Sequence, residues 1–260
     1  MANAALVIDN NALTGSLSAS SQELAMPVQL LQTPHPSERW RSQSNTASFV
    51  LDKGALVSGD TVMLAGLTCG PNATIQVRGS TIDATGVAGD VFDTGVIANG
   101  APQFDVDYFS FVHLLPAPAS WRYLRFDIED PDAAYVEAGM LLEGVRTKFA
   151  YNFQPGGEIG YVDLAKVSKT SSGKTLVWPV GYYRTVNLSF PWVTTDQRYG
   201  VVERLDRIKG RRSNVLLIMD GDSDNLPRSS IYGLVNDITP VTFGVIFDLF
   251  GKQLRIDERI

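Results

Sequence analysis

The sequence predicts a mainly β protein, in which a jelly-roll β-sandwich is followed by a smaller α+β domain with one helix packed on a sheet. Two observations support this prediction. Short runs rich in Val, Ile, Phe and Tyr recur along the chain, and Gly, Pro, Asn and Asp separate them at intervals of roughly ten residues. One later segment shows the apolar spacing of a helix instead, and apolar strands flank it.

The predicted strands rest on composition and on alternation. In ATIQVRG, Ile75 and Val77 fall on one face of an extended chain, and Gln76 and Arg78 fall on the other. The same alternation recurs in WRYLRFDIE, residues 121–129. The segments predicted as strands are Ala4–Asp9, Ala47–Leu51, Thr61–Ala65, Ala73–Arg78, Tyr108–Leu114, Trp121–Glu129 and Tyr135–Leu142.

Residues 194–210 are predicted to form the helix. Thr194 and Gln197 have the spacing of a capping box, and Gly210 suits the position just beyond the last turn. The strand-like segments YYRTVNLSF and NVLLIMD enclose it, which gives a strand–helix–strand unit over residues 182–220. The residues predicted to form its apolar stripe are Val201, Leu205 and Ile208.

A domain boundary is expected near residues 144–158, where YNFQPGGEIG is rich in turn-forming residues. The predicted segments are an N-terminal strand and arm over 1–24, the sandwich over 25–146 and the α+β part over 150–260.

Composition excludes several classes of protein. The chain has a formal net charge of −6, and its basic residues form no long run, so a nucleic-acid partner is not expected. Cys69 is the single cysteine, which excludes an intramolecular disulfide. No apolar run approaches the roughly 20 residues that span a bilayer, and the N-terminus lacks the features of a secretory signal. We therefore expect cytoplasmic synthesis and no membrane insertion. The densest basic patch, interpreted as a solvated helix end rather than a phosphate site, is Arg204, Arg207, Lys209, Arg211 and Arg212.

The motifs that could carry chemistry have structural interpretations. SSGKT, residues 171–175, ends like a phosphate-binding loop, but Ser168 stands where that loop needs glycine and a β-like segment follows, so a hairpin turn is predicted. His35 and His113 are isolated, and no nucleophile-elbow motif occurs, although counting residues alone does not exclude a catalytic triad. We expect no catalytic residue, no cofactor and no metal. The acidic groups, interpreted as solvated loop acids rather than a glycosidase pair, are Asp105/Asp107, Glu129/Asp130/Asp132 and Asp220/Asp222/Asp224.

The third acidic group begins like a calcium loop. Such a loop needs glycine at its sixth place and a closing glutamate at its twelfth, where this chain has Asn225 and Ile231. Residues 220–225 are therefore predicted to be an acidic connection between two strands, with a calcium ion as the lesser alternative.

Trp40, between Arg39 and Arg41, is the best candidate for a glycan-binding residue, because an exposed indole can stack on a sugar and flanking guanidinium groups can donate hydrogen bonds. The competing interpretation packs Trp40 inward and leaves both arginines outside.

Four segments occur in an order that resembles the pattern of a known family: SERWRS (37–42), VMLAGLTCGPNATIQVRGS (62–80), VFDTGV (91–96) and WRYLRFDIEDPDAAYVEAGMLLEG (121–144). Together they resemble the galactose-binding-like (discoidin-type) jelly roll of structural proteins in tailed bacteriophages and prophages. Phe92 replaces the tyrosine that is usual in this pattern. The second half, with its strand, helix, apolar strand and acidic turn, resembles the core of distal tail and minor tail proteins.

This resemblance implies a virion structural protein of the tail tip or baseplate, assembled in the host cytoplasm. It also implies an oligomeric ring that contacts the tail tube, the tail hub and tape-measure-type proteins. Two further hypotheses stay open: a carbohydrate-binding module for a host surface saccharide, and an enzyme acting on surface glycans, for which no acid–base pair stands out.

Overall fold

The computed structural model describes residues 2–100, 109–244 and 246–260, and the chain divides into two compact units. The first unit holds the described residues up to 148 together with 218–230 and Ile260. The second unit holds residues 149–217 and the described part of 231–259. Whether the predicted segments 1–24, 25–146 and 150–260 are independent domains stays a prediction. The predicted strand residue Tyr108 and the acidic pair Asp105/Asp107 lie outside the described residues.

The first unit is an antiparallel β structure, which confirms the predicted sandwich. Its large sheet has the order β10-β4-β8-β5-β6, with β2 added on β4 and β7 on β5, while β3 pairs with β9 and β1 with β11. Its strands are β1 (Ala5–Val7), β2 (Ser16–Ala19), β3 (Trp40–Arg41), β4 (Thr46–Leu67), β5 (Thr74–Ser80), β6 (Phe92–Asp93), β7 (Ile97–Ala98), β8 (Phe109–Glu129), β9 (Glu137–Ala138), β10 (Met140–Gly144) and β11 (Thr147–Lys148). Its short helices are Asn11–Leu13, Val28–Gln32 and Leu226–Ser229.

Two long strands replace two pairs of predicted short ones. β4 contains both Ala47–Leu51 and Thr61–Ala65, and β8 continues through the predicted gap before Trp121. The two strands pair along most of their length, and the register shifts between Asp52 and Val57 where the extra residues bulge out. A β-bulge absorbs residues without ending a strand, so the Gly and Pro residues taken as turn signals lie within continuous strands.

The core of the sandwich lies on the inward faces of these strands. Ile75 and Val77 of β5 are completely buried, as their alternation predicts. The ring of Phe49 stacks on Phe126 with centroids 4.9 Å apart, and the edge of Trp40 meets Phe49 at 5.5 Å. Each such aromatic side chain removes a large apolar area from water, which stabilises the fold by about 1.5–3 kcal/mol per residue.

The second unit combines a sheet with the predicted helix. Its sheet has the order β16-β17-β19-β15-β12, with β18 on β19, and β13 and β14 form a separate hairpin. Its strands are β12 (Glu158–Asp163), β13 (Lys166–Lys169), β14 (Thr175–Trp178), β15 (Tyr182–Thr194), β16 (Asn214–Ile218), β17 (Ser230–Val235), β18 (Thr242–Phe243) and β19 (Leu249–Glu258). None of the helices in the described residues is long and apolar enough to cross a membrane.

The predicted helix is present, but its hydrogen bonding is partly of the π type. The α-helical turn Thr195–Gln197 has the predicted capping box, and Gly210 ends the helix with φ of +50°. Val201 and Leu205 are buried as predicted, whereas Ile208 is 59% exposed. The π-helical segments advance fewer degrees per residue than an α-helix, so a stripe drawn at α-helical spacing misplaces its last member. The π-helical segments are Arg198–Val202 and Leu205–Lys209.

Two loop predictions are confirmed. KTSSGK is the turn between β13 and β14, where the amide of Thr170 donates to the carbonyl of Lys174 at 2.8 Å. The acidic run connects β16 to β17. The sequence missed the one-turn helix Leu226–Ser229 in this connection, although Pro227 is in the first turn, where proline is favoured.

Candidate binding surfaces

The predicted glycan-binding residues lie on β3 and just before it. β3 pairs with β9, so that Trp40 faces Ala138 and Arg41 faces Glu137 across the ladder. Because side chains alternate along a strand, Trp40 points to one side of this pair and its two neighbours point to the other.

Trp40 lies in the core of the sandwich. Its side chain is completely buried, and its indole N–H donates to the carbonyl of Ser21 at 3.2 Å. A buried ring has no face on which a sugar can stack. Trp40 therefore takes the inward position of the competing interpretation, and only the two arginines of the predicted trio can reach a ligand.

Both arginines converge on one carboxylate. Nε of Arg41 donates to Oε1 of Glu137 at 2.5 Å, and Nη1 of Arg39 lies 3.7 Å from Oε2. The Glu137 side chain is largely buried, whereas that of Arg41 is about one-third exposed. The hydrogen bond that Arg41 donates to Glu137 raises the pKa of Arg41 further above its ordinary value, so the guanidinium remains charged at every physiological pH.

An aromatic ring completes this cluster. The guanidinium carbon of Arg41 lies 4.2 Å from the centroid of the Tyr135 ring, and Tyr135 is 40% exposed. Sequence reasoning missed Tyr135 as a site residue, although it stands only two positions before Glu137. We call Arg39, Arg41, Tyr135 and Glu137 the arginine–tyrosine cluster. It offers hydrogen-bond donors, an acceptor and an aromatic face.

A second surface is a hairpin in the second unit. β13 and β14 pair with each other and, among the described residues, with no other strand. The amide of Leu164 donates to the carbonyl of Gly181 at 2.9 Å, so this hairpin continues the β12–β15 ladder past the sheet. We call residues 164–181 the arm. No residue of the arm is buried.

The arm is apolar as well as exposed. Trp178 is 49% exposed, and its neighbours in the arm are similarly uncovered. The base strand β12 adds Tyr161, which is 68% exposed. The large apolar side chains of the arm that are exposed are Leu164, Val167, Leu176, Val177, Trp178 and Val180.

The sandwich also contains a buried ion pair, Lys53 and Glu143. Nζ of Lys53 lies 2.8 Å from Oε1 of Glu143 and 4.7 Å from the ring centroid of Trp121. Burial raises the pKa of Glu143 and lowers that of Lys53, and the attraction between the two partly offsets both shifts. The side chains of both residues are at most 1% exposed, so this pair has no path to a ligand and acts within the core.

The acidic residues are tied to nearby groups. Asp130, interpreted from sequence as a solvated loop acid, is buried, and its carboxylate accepts the amide of Gly70 at 2.8 Å. The interpretation of Asp130 as solvated was wrong, because its hydrogen bond with Gly70 joins the turn at 70–72 to the residue that follows β8. The carboxylate of Asp220 accepts the amides of Ala2 at 2.9 Å and of Asp222 at 3.1 Å. Among the described residues, no group of three or more His, Cys, Asp or Glu side chains could hold a metal ion.

No family model and no curated protein matches this chain. Solved structures that match include chitosan-binding module 1 of a chitosanase/glucanase from Paenibacillus sp. IK-5, at 15% identity and a TM-score of 0.38, covering 52% of this chain and 98% of that one. The Streptococcus pneumoniae fucose-binding module SpX-3 matches at 7% identity and a TM-score of 0.37, covering 56% and 100%. The lectin domain of lectinolysin, solved with Lewis B antigen, matches at 10% identity and a TM-score of 0.37, covering 53% and 96%.

Proposed function

We propose that this chain is a non-catalytic structural subunit that assembles with further copies of itself into a ring in the tail tip or baseplate of a bacteriophage. The observation that carries the proposal is the exposed apolar surface of the second unit, concentrated on the arm. Soluble monomers rarely expose contiguous apolar patches of this kind unless another molecule covers them.

The arm is also poorly stabilised by its own contacts. A two-stranded hairpin with both faces in water is marginal, because no third strand and no core covers its side chains. Its ladder consists of four residue pairs, from Lys166 opposite Trp178 to Lys169 opposite Thr175. Docking on another subunit would bury the apolar side chains and stabilise the hairpin at the same time.

The tail location comes from the sequence resemblance, and the assembly role comes from the surface. The partners that the resemblance implies are the tail tube, the tail hub and tape-measure-type proteins. Such partners are consistent with a subunit that assembles through its second unit, because the sandwich buries most of its large apolar side chains.

Light scattering on the purified 28.3 kDa chain tests the assembly role, with electron microscopy of the same sample. We expect a species of several copies, or one that forms when neighbouring tail proteins are added. A strict monomer in both conditions would contradict the proposal.

The arginine–tyrosine cluster favours a second candidate function, the binding of a host surface saccharide by the sandwich. Among the described residues, Nη1 of Arg41 makes no hydrogen bond, so it can donate to a sugar hydroxyl. The exposed ring of Tyr135 can stack on the apolar face of a sugar.

A glycan array tests this function. We expect the wild-type chain to bind at least one glycan, and Tyr135→Ala to reduce that binding about tenfold or more, the effect that the loss of a stacked ring has on the binding of a nucleic-acid base. Tyr199→Ala is the matched control, because Tyr199 is exposed and carries Arg198 at 4.9 Å but lies in the second unit. Equal binding by both variants would exclude the cluster as the site.

A further inference from the structure

We propose that the arm of one copy docks along β12 of a second copy, so that successive copies join head to tail. This inference rests on the proposed assembly function and names its interface. It follows from the position of β12, from the charges of the two segments and from the like-charge clash that arises when β12 pairs with β12 or arm with arm.

β12 is the last strand in its sheet. It pairs with β15 on one side, and none of the described strands pairs with its other side. An edge strand presents a row of backbone N–H and C=O groups that another strand can pair with. β12 has six residues and each arm strand has four, so an arm strand fits within the length of this edge.

The two segments carry opposite charge. The arm contains Lys166, Lys169 and Lys174 and has no acidic residue. β12 begins with Glu158 and ends with Asp163, and it has no basic residue. Opposite charges on neighbouring strands stabilise a pair, and both sets are exposed and available for it.

Apolar side chains accompany these charges on both segments. On the arm, Val167 lies opposite Val177 in the ladder, and both are more than half exposed. On β12, Ile159 and Tyr161 share one face and are 54% and 68% exposed. Contact between the two segments would therefore remove apolar surface from water on each copy.

Symmetric pairings place like charges together. Antiparallel pairing of β12 with β12 of a second copy brings Glu158 opposite Asp163, and pairing of two arms brings lysines together. Like charges directly opposite each other destabilise a strand pair. The head-to-tail contact avoids both clashes, and a contact between two different surfaces generates a ring when its rotation closes.

Charge reversal tests the interface by light scattering and sedimentation. One variant carries Lys166→Glu, Lys169→Glu and Lys174→Glu, and another carries Glu158→Lys and Asp163→Lys. We expect each to weaken self-association about tenfold or more, because like charges then face each other. A third variant with all five substitutions should recover association.

The control variant carries Arg207→Glu, Arg211→Glu and Arg212→Glu. It changes the net charge as much as the arm variant, but its substitutions lie outside both segments, so it should associate like the wild type.

Cross-linking gives an independent readout that tolerates a change in stability. Val177→Cys and Ile159→Cys are placed on separate molecules, with Cys69 buried in both. We expect a bismaleimide to join the two variants when they are mixed, and to join neither variant to itself. If the wild type assembles while both charge variants associate normally and the mixture stays uncrosslinked, the interface is wrong and the assembly function stands. If the wild type never assembles, both fail.

Discussion

The sandwich and the second unit differ in how completely they bury their apolar side chains. Of the 25 large apolar side chains that are exposed in the described residues, 17 belong to the second unit, although it is the smaller of the two. The sandwich closes its core around rings such as Trp40 and Trp121, both completely buried. The second unit leaves Trp178 and Trp192 half exposed. The same residue type thus serves the core of one unit and the surface of the other.

Loops of the two units differ in the same way. In the sandwich, Arg125 donates to the carbonyl of Thr85 and Arg78 to that of Val87, each at 3.0 Å, so the loop before β6 is tied to the sheet. The arm is held at its tip by contacts within itself, such as the side chain of Thr170 with Lys174. On the proposed assembly function, the second unit would be the part of the chain that another copy covers.

Alanine at two tryptophans should give opposite outcomes. Trp40→Ala empties a completely buried site, so we expect a loss of about 3–5 kcal/mol in the free energy of unfolding. Trp178→Ala removes an exposed ring from the arm, so the expected change is within about 0.5 kcal/mol, accompanied by weaker self-association. Urea unfolding and light scattering measure the two effects. A large loss of stability in Trp178→Ala would show that the arm is part of a core. The two units would then not differ in how they bury their tryptophans.

The buried ion pair should make a variant sensitive to pH. Lys53→Met leaves Glu143 buried without its cation, which we expect to cost about 3 kcal/mol of unfolding free energy at neutral pH. Burial already raises the pKa of Glu143, and the loss of Lys53 raises it further. A carboxyl group with a raised folded pKa favours the folded state when protonated. The deficit should therefore be largest above the folded pKa and shrink as the pH falls through it toward the unfolded value.

Two controls define this effect. In Lys53→Met with Glu143→Leu, no charge is left buried, so stability should return to within about 1–2 kcal/mol of the wild type and lose its added pH dependence. Arg122→Met breaks the Arg122–Asp52 pair, whose side chains are 39% and 30% exposed, and should cost much less stability than Lys53→Met because water screens this pair. Denaturant midpoints measured between pH 5 and pH 8 compare the three variants. A pH-independent deficit in Lys53→Met would mean that Glu143 is not the group responsible.

Local rules predicted much of this fold. Alternation identified the buried face of β5, and the capping box identified the start of the helix at Thr194. Ser168 stands where a phosphate-binding loop needs glycine, and the hairpin turn predicted for SSGKT on that ground is confirmed. Each of these features depends on residues a few positions apart, which is the range over which a sequence pattern constrains the backbone.

Features set by distant residues were not predictable in this way. The burial of Asp130 depends on the amide of Gly70, 60 positions away, and the stacking of Tyr135 depends on Arg41. The continuity of β4 depends on its pairing with β8. The exposure of the arm could not be predicted either, because an apolar strand has the same sequence pattern whether its own chain or another molecule covers it.

The pKa of Asp90 gives a smaller test of how tightly the sandwich holds its loops. Hydrogen bonds from Ser80 and Thr81 to the charged carboxylate lower its pKa to about 2, although Asp90 is exposed. The unfolded value is near 3.9, so this depressed pKa contributes stability that is present above that value and lost as the pH falls through about 2. Carboxyl chemical shifts followed by NMR should show this titration, and Thr81→Val should move it upward. Titration of the wild-type Asp90 carboxyl group near 4 would mean that these hydrogen bonds are absent in solution. The loop of the sandwich would then be held less tightly than its contacts indicate, and it would differ less from the arm.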